Sequence, residues 1–231
     1  MTAFAYEIAT LIQAQAQATP GDPEAHYSLP WYLVIGEPGS GRTTAIKAMN
    51  LSWPRGDAPV AMSLPQQLCT YWIPEKAVFI EPEEQVSGHS RQPHLLQELC
   101  HELKEKRSRE PVDGIVLIAS ARILAAESEE GVEGYANRLR RQLVEVVQIL
   151  EADVPVYVVV TMYDVLWRFG DAFRWTPQPR DEEPWGFSLP PGTAAEDVSG
   201  RLGAELAALG ARIEAMCFAK LSTEDPAIER M

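Results

Sequence analysis

The stretch that decides the fold is WYLVIGEPGSGRTTAIKAM, residues 31–49. It begins with an unbroken run of apolar residues, which is typical of a strand buried on both faces of a parallel sheet. A glycine-rich turn and a helix-like stretch follow. The turn fits the pattern G-x-x-x-x-G-[K/R]-T, in which glycines allow backbone N–H groups to point inward toward phosphate oxygens. The sequence therefore predicts a strand, loop and helix derived from a phosphate-binding loop.

One position of this loop departs from the usual pattern, because Arg42 stands where lysine is expected. A guanidinium keeps the positive charge, but it is a wide planar fork where a compact ammonium usually fits. The hydroxyl of Thr43 is the predicted ligand of Mg²⁺. The motif is therefore compatible with retained nucleotide binding and also with a vestigial loop that binds no nucleotide. The residues that the motif predicts to contact phosphate or its metal ion are Gly36, Gly41, Arg42 and Thr43.

A second segment, AVFIEPEE at residues 77–84, supplies the acidic residue expected at the end of a neighbouring strand. Glu81 occupies the position that reaches Mg²⁺, directly or through water. Glu83 and Glu84 add negative charge, which opposes binding of a nucleoside triphosphate unless a metal ion compensates. The alternative interpretation is an acidic turn that faces solvent.

A third segment, VVVTMYDVL at residues 158–166, follows an apolar run and contains the pattern T-x-x-D. Thr161 and Asp164 are predicted to contact the base of a bound nucleotide. Met162 stands where a lysine is usual in such segments. A thioether could still lie against a base. No residue of the chain is predicted to be catalytic, because none is a candidate for positioning an attacking water.

Apolar periodicity places helices and strands alternately along the rest of the chain. This alternation predicts an α/β fold, a mainly parallel sheet with helices on both faces and one antiparallel edge. The glycine loop after the first strand indicates that the fold is of the P-loop NTPase type. Helices are expected at 3–18, 94–107, 135–151 and 196–217, and strands at 30–36, 68–73, 77–81, 114–119 and 155–161. The predicted core residues are Val34, Ile35, Val116, Leu117, Val158 and Val159.

The predicted domain organisation has three parts. Residues 1–29 form a helix and linker, residues 30–190 the α/β domain, and residues 191–231 a helical segment. The two terminal helices are expected to pack as an appended part. A further expectation concerns WRFGDAFRW at 167–175, whose aromatic and arginine side chains are of the types that anchor protein interfaces.

The net charge of −13 disfavours binding to nucleic acid and to anionic lipid. Three widely spaced cysteines do not make a disulfide framework, which indicates a reducing cytoplasm. The first residues have neither a basic region nor a long apolar run, so they do not resemble a signal peptide. No stretch reaches the ~18 apolar residues needed to span a bilayer. Acidic surfaces of this kind suit basic protein partners.

The ordered segments PWYLVIGEPGSGRTTAI, AVFIE, PVDGIVLIASARIL, RLRRQLVEVVQIL, VPVYVVVTMYDVLWRF and WGFS resemble the cytoplasmic domain of the TssM, or IcmF, family of the bacterial type VI secretion system. The resemblance covers roughly residues 30–190. It implies a GTPase-like module at the cytoplasmic face of the inner membrane, attached only through flanking membrane segments that lie outside this sequence. It also implies that Gly39, Ser40 and Thr44 belong to the phosphate-contacting set. It also implies TssL, TssJ and baseplate proteins as partners of the complex, and Mg-GTP or Mg-ATP as the cofactor if nucleotide is bound.

Three departures from the family pattern bear on this function. The family has lysine at the position of Arg42, DTAG where this chain has EPEE, and TKxD where it has TMYD. They favour an assembly and docking module with a degenerate nucleotide site. The alternative is a nucleotide-dependent switch with slow hydrolysis, in which the γ-phosphate would order the loop at 82–93. An unrelated metabolic kinase is the third possibility, but the chain has no visible substrate or lid motif.

We expect no steady turnover of GTP or ATP by the unmodified chain. Phosphoryl transfer needs a correctly placed Mg²⁺, a cation on the phosphate loop and a positioned water. No residue of the chain is a candidate for positioning that water. Arg42→Lys alone should not restore turnover, because the segment at residues 81–84 remains acidic. Release of inorganic phosphate measures this. Turnover by the unmodified chain that Thr43→Ala abolishes would contradict the prediction.

Overall fold

The structure is a computed structural model, and it describes residues 2–49, 51–54, 61–62, 68–87, 93–165, 186–190 and 192–222. The chain divides into two compact units, Met1–Leu166 and Trp167–Met231, and each is described by itself. Within the described ranges, no helix has the length and apolar character needed to cross a membrane.

The first unit is built on one six-stranded sheet. The strands are β1 Trp31–Gly36, β2 Ala61–Met62, β3 Cys69–Trp72, β4 Val78–Pro82, β5 Gly114–Ser120 and β6 Val156–Thr161. Their order across the sheet is β2-β3-β4-β1-β5-β6. Strand β1 pairs in parallel with β4 on one side and β5 on the other, and β6 pairs in parallel with β5. The predicted hairpin forms the antiparallel edge, where β3 pairs with β4 and the short β2 pairs with β3.

The helices agree with most of the predicted ones. They are α1 Ala3–Ala18, α2 Arg42–Ala48, α3 Glu84–Ser87, α4 Pro93–Lys106, α5 Ala121–Ala126, α6 Glu129–Leu150 and, in the second unit, α7 Ala195–Ser222. One of them, α6, begins six residues earlier than its apolar periodicity indicates. Its start is set by Ser128, whose side chain accepts a hydrogen bond from the backbone N–H of Gly131. The carboxylates of Glu129 and Glu130 lie in the first turn, where they interact favourably with the positive end of the helix dipole.

Each face of the sheet carries its own hydrophobic core, because successive side chains of a strand point to opposite faces. Leu33 and Ile35 of β1 lie in the larger core, to which α1, α4 and α6 contribute. Val34 lies in the smaller core with Ile46 of α2 and Trp53. The prediction of a mainly parallel α/β sheet with helices on both faces is therefore confirmed.

Strand β6 corrects the predicted position of the last strand. The sequence placed residues 155–161 in the buried centre, but β6 pairs only with β5 among the described strands and lies at the end of the sheet. Val158 is 63% exposed, and Val159 is only partly buried against the smaller core. The prediction that both are core residues is wrong, because an apolar run does not distinguish an edge strand from a central one.

Helix α1 is also placed differently from the prediction, since it packs into the larger core and is not appended. Phe4, Ile8 and Leu11 are fully buried there. The buried carboxylate of Glu7 accepts hydrogen bonds from the Tyr71 hydroxyl at 2.9 Å and from a backbone N–H of the segment before β3. Burial raises the pKa of Glu7, and these hydrogen bonds partly oppose that shift. The predicted boundaries at residues 30 and 190 stay predictions.

The second unit contains the predicted last helix, which runs as α7 over Ala195–Ser222. Leu202 and Leu206 of its apolar stripe are exposed. The aromatic stretch 167–175, which the sequence assigned to interface contacts, lies outside the described residues.

The contrast between the central strand β1 and the edge strand β6 can be tested with a matched pair of substitutions. Val34→Asp places an unpaired charge in a fully buried position and should cost roughly 3–5 kcal/mol of unfolding free energy. Val158→Asp, at an exposed position, should cost less than about 1 kcal/mol. Urea unfolding measures both. An equal loss in the two variants would show that β6 is covered in solution.

Candidate functional site

The three segments singled out by the sequence meet at one edge of the sheet. The glycine loop, defined here as residues 36–43, follows β1, while Glu81 lies near the end of β4 and Thr161 ends β6. Because these strands are parallel, their carboxyl ends lie on the same side, where ligands of open α/β sheets bind. The topology therefore produces the predicted convergence of the segments.

The backbone of the glycine loop requires glycine at two points. Gly36 has φ +150°, and a Cβ there would lie 2.7 Å from the carbonyl oxygen of Ile118 in β5. Gly41 has φ +84° and stands immediately before α2 as its N-cap. Side chains at these positions would strain or displace the loop. Two further residues of the predicted phosphate-contacting set lie in the same segment. Gly39 has φ +72°, and Thr44 is exposed.

The acidic residue predicted for this edge is buried and bonded to the loop. The Glu81 carboxylate accepts a hydrogen bond from the Thr43 hydroxyl at 2.7 Å and another from the Trp72 indole N–H at 2.9 Å. The Nε atom of Arg42 lies 3.9 Å from the carboxylate oxygen that Thr43 contacts. Arg42 and Glu81 are both largely withdrawn from solvent, at 8% and 6% exposure. The residues predicted to hold phosphate and metal therefore contact each other.

The electrostatic environment of Arg42 is acidic. Burial lowers the pKa of its guanidinium, while the charges of Glu81 and then Glu83 raise it again. Glu83 in turn accepts a hydrogen bond from the Thr70 hydroxyl at 2.8 Å, and Glu84 is exposed. The acidic turn is thus only partly solvated: its first carboxylate is buried and faces the arginine of the loop.

The segment after β6 also contacts the glycine loop. The Thr161 hydroxyl donates a hydrogen bond to the carbonyl oxygen of Ser40. Met162, which has φ +58°, accepts a weak hydrogen bond from the Ser120 hydroxyl through its sulfur at 3.4 Å. Its terminal methyl would lie 3.4 Å from a Cβ on Gly41. The structure thus brings Thr161 to the loop, whereas Asp164 lies exposed in a short 3-10 turn.

The Ser40 side chain lies close to Gly36, at the start of the loop. It is fully buried, and its hydroxyl has no hydrogen-bond partner among the described residues. A Cβ on Gly36 would lie 3.2 Å from that oxygen. A buried hydroxyl without a partner is uncommon, because the lost solvation is not compensated.

Helix α6 is hydrogen-bonded to the glycine loop and to the end of β5 through residues that the sequence did not single out. Arg138 donates a charge-assisted hydrogen bond to Glu37, which is almost fully buried in the loop. The Tyr135 hydroxyl accepts a hydrogen bond from the backbone N–H of Ser120, at the end of β5. The contact between Arg138 and Glu37 joins residues about a hundred positions apart, so local patterns gave no signal for it.

Trp72 was also missed, although the predicted hairpin contained a signal for it. Thr70 pairs directly with Glu81 across β3 and β4, so Trp72 is the diagonal neighbour of Glu81 on the same face. Register alone could have placed the indole beside this carboxylate.

A family model described as the IcmF-related N-terminal domain matches residues 89–231. The match covers more than half of the chain. The chain belongs to the IcmF-related family. It is also 29% identical over 245 residues to the type VI secretion system component TssM1 of Pseudomonas aeruginosa. That alignment covers 97% of this chain and 22% of the relative, so the chain spans about a fifth of the length of the curated protein it matches.

The match to the IcmF-related model begins after the glycine loop and after the acidic turn at residues 81–84. Family membership therefore rests on α4 and the segments C-terminal to it, including the TMYD segment. Binding of nucleotide by Gly36, Gly39, Ser40, Gly41, Arg42, Thr43, Thr44, Glu81, Thr161 and Asp164 stays a prediction, as does the role of Thr43 toward Mg²⁺.

The indole contact to Glu81 yields a stability prediction for this IcmF-related chain. Trp72→Phe removes one donor from a buried carboxylate and should cost about 1–3 kcal/mol beyond the loss of packing. Trp53→Phe is the matched control, since Trp53 lies in the same smaller core at similar burial. Unfolding free energies from urea titration give the comparison. Equal losses in the two variants would mean that the indole N–H adds nothing.

Proposed function

We propose that this chain is a docking module of a type VI secretion apparatus, at the cytoplasmic face of the bacterial inner membrane. In this proposal the fold is a GTPase-like P-loop fold that has kept its phosphate loop as a structural element and has lost nucleotide chemistry. Membership of the IcmF-related family and the identity with TssM1 support the secretion role. The internal bonding of the loop supports the loss of chemistry.

The observation that carries the proposal is the set of contacts around Glu81. Its carboxylate is shared by the Thr43 hydroxyl, the Trp72 indole and the Arg42 guanidinium. In an active site the loop hydroxyl and cation would be directed at Mg²⁺ and phosphate oxygens. Here each has a protein partner, so the edge of the sheet is stabilised without a ligand.

The partners would be proteins rather than nucleic acid. A net charge of −13 repels phosphate backbones and favours basic protein surfaces. The family resemblance suggests the other membrane-complex components TssL and TssJ, and baseplate proteins, as the assembly in which this module works. Attachment to the membrane would then come through segments outside this sequence.

A nucleotide-dependent switch is the second candidate, and one observation favours it. The Ser40 hydroxyl is buried inside the glycine loop without a partner among the described residues, which suits a hydroxyl that meets a phosphate oxygen. Gly39 and Gly41 hold the left-handed backbone that lets loop N–H groups point inward. In this candidate GTP or ATP would bind and change the affinity for partners.

Substitutions in the native gene distinguish the two candidates, with type VI-dependent killing of a competitor strain as the measurement. For a docking module, Thr43→Ala should leave killing within about twofold of the parent, since Glu81 keeps the Trp72 indole and the Arg42 guanidinium as partners. Ile35→Asp, in the fully buried core, should abolish killing and serves as the positive control. Loss of killing in Thr43→Ala at unchanged protein level would favour the switch.

A further inference from the structure

The departures at Arg42 and at residues 81–84 lie next to each other in the fold. Arg42 stands where the phosphate-loop pattern has lysine, and residues 81–84 carry three carboxylates across the end of β4 and the start of α3. The structure brings Arg42 within 3.9 Å of Glu81, and the next largest favourable charge acting on Arg42 is that of Glu83. Two changes that look independent in the sequence therefore form one electrostatic unit.

The residues of this unit fit a magnesium ion poorly. Mg²⁺ requires oxygen ligands at about 2.0–2.1 Å in near-octahedral geometry. Thr43 and Glu81 supply suitable oxygens, but they are hydrogen-bonded to each other at 2.7 Å. The other Glu81 oxygen is held by Trp72 at 2.9 Å. A metal ion here would displace the first bond and would lie beside a buried cation, which repels it.

The charge of the buried carboxylate is already compensated. A carboxylate that is withdrawn from water needs a counter-charge or several donors. Glu81 lies beside a guanidinium and accepts hydrogen bonds from two donors, so its negative charge is compensated without a metal ion. The wide, always charged head of arginine suits a buried pair better than the ammonium of lysine, which loses its charge more readily on burial.

We propose that Arg42 is the built-in counter-cation of the acidic turn and replaces a divalent metal ion at this site. The inference rests on the proposed phosphate-loop origin of residues 36–43. It implies that the chain takes up no divalent cation here, whether or not a nucleotide is present. It also implies that removal of the guanidinium opens the site to a metal.

Binding of Mn²⁺, followed by electron paramagnetic resonance with and without GDP, tests this proposal on the full chain. The unmodified chain should show no saturable Mn²⁺ binding that depends on Glu81. Arg42→Met should bind Mn²⁺ about tenfold more tightly or better, because loss of an adjacent positive charge favours a cation at the carboxylate. The double change Arg42→Met with Glu81→Gln should lose that gain.

Arg138→Met is the matched control, since it removes the arginine bonded to Glu37, a carboxylate within the glycine loop. It should not create a Mn²⁺ site if the effect belongs to Glu81 and Thr43. If Arg42→Met fails to fold, Arg42→Gln replaces it, because its uncharged amide also removes the positive charge beside Glu81. The same gain in Mn²⁺ binding is then expected.

Uptake of Mn²⁺ with GDP by the unmodified chain, lost in Glu81→Gln, would overturn the inference. So would a folded Arg42 variant without any gain, or an equal gain in Arg138→Met. None of these results depends on secretion, so they separate failure of this inference from failure of the proposed docking role, which the killing assay measures.

Discussion

A buried carboxylate at the end of β4 is the constraint on which the candidate site depends. Glu81 is 6% exposed, and an ionised group in that position must be supplied with donors or a counter-charge. The chain supplies the Thr43 hydroxyl from the start of α2, the Trp72 indole from β3 and the guanidinium of Arg42. One side chain thus ties the glycine loop to both strands of the antiparallel hairpin.

The opposite side of the loop is held by a second, independent set of contacts. Arg138 of α6 bonds to Glu37, and Thr161 at the end of β6 bonds to the Ser40 carbonyl. The loop is therefore fixed from β3 and β4 on one side and from α6 and β6 on the other. A loop that is fixed in this way keeps its conformation without a ligand, as the proposed structural role of the loop requires.

Much of the fold could be predicted because its patterns are local. The apolar run of β1, the strands of the hairpin and the apolar periodicity of α4 each identify an element from residues near one another in the sequence. The candidate site was predictable to the same extent, since parallel strands must bring their carboxyl ends together. The start of α6 was missed because two glycines obscured its periodicity, although Ser128 supplies the cap.

The sequence by itself determined the α/β class, the glycine loop and the proximity of Arg42, Glu81 and Thr161, because these follow from element type and strand direction. Only the tertiary structure decided which groups the loop residues bond to, because hydrogen-bond partners such as Arg138 and Glu37 are distant in sequence. It also decided that β6 lies at the edge of the sheet. A strand's own residues record how apolar it is, whereas its place in the sheet depends on which other strands pair with it.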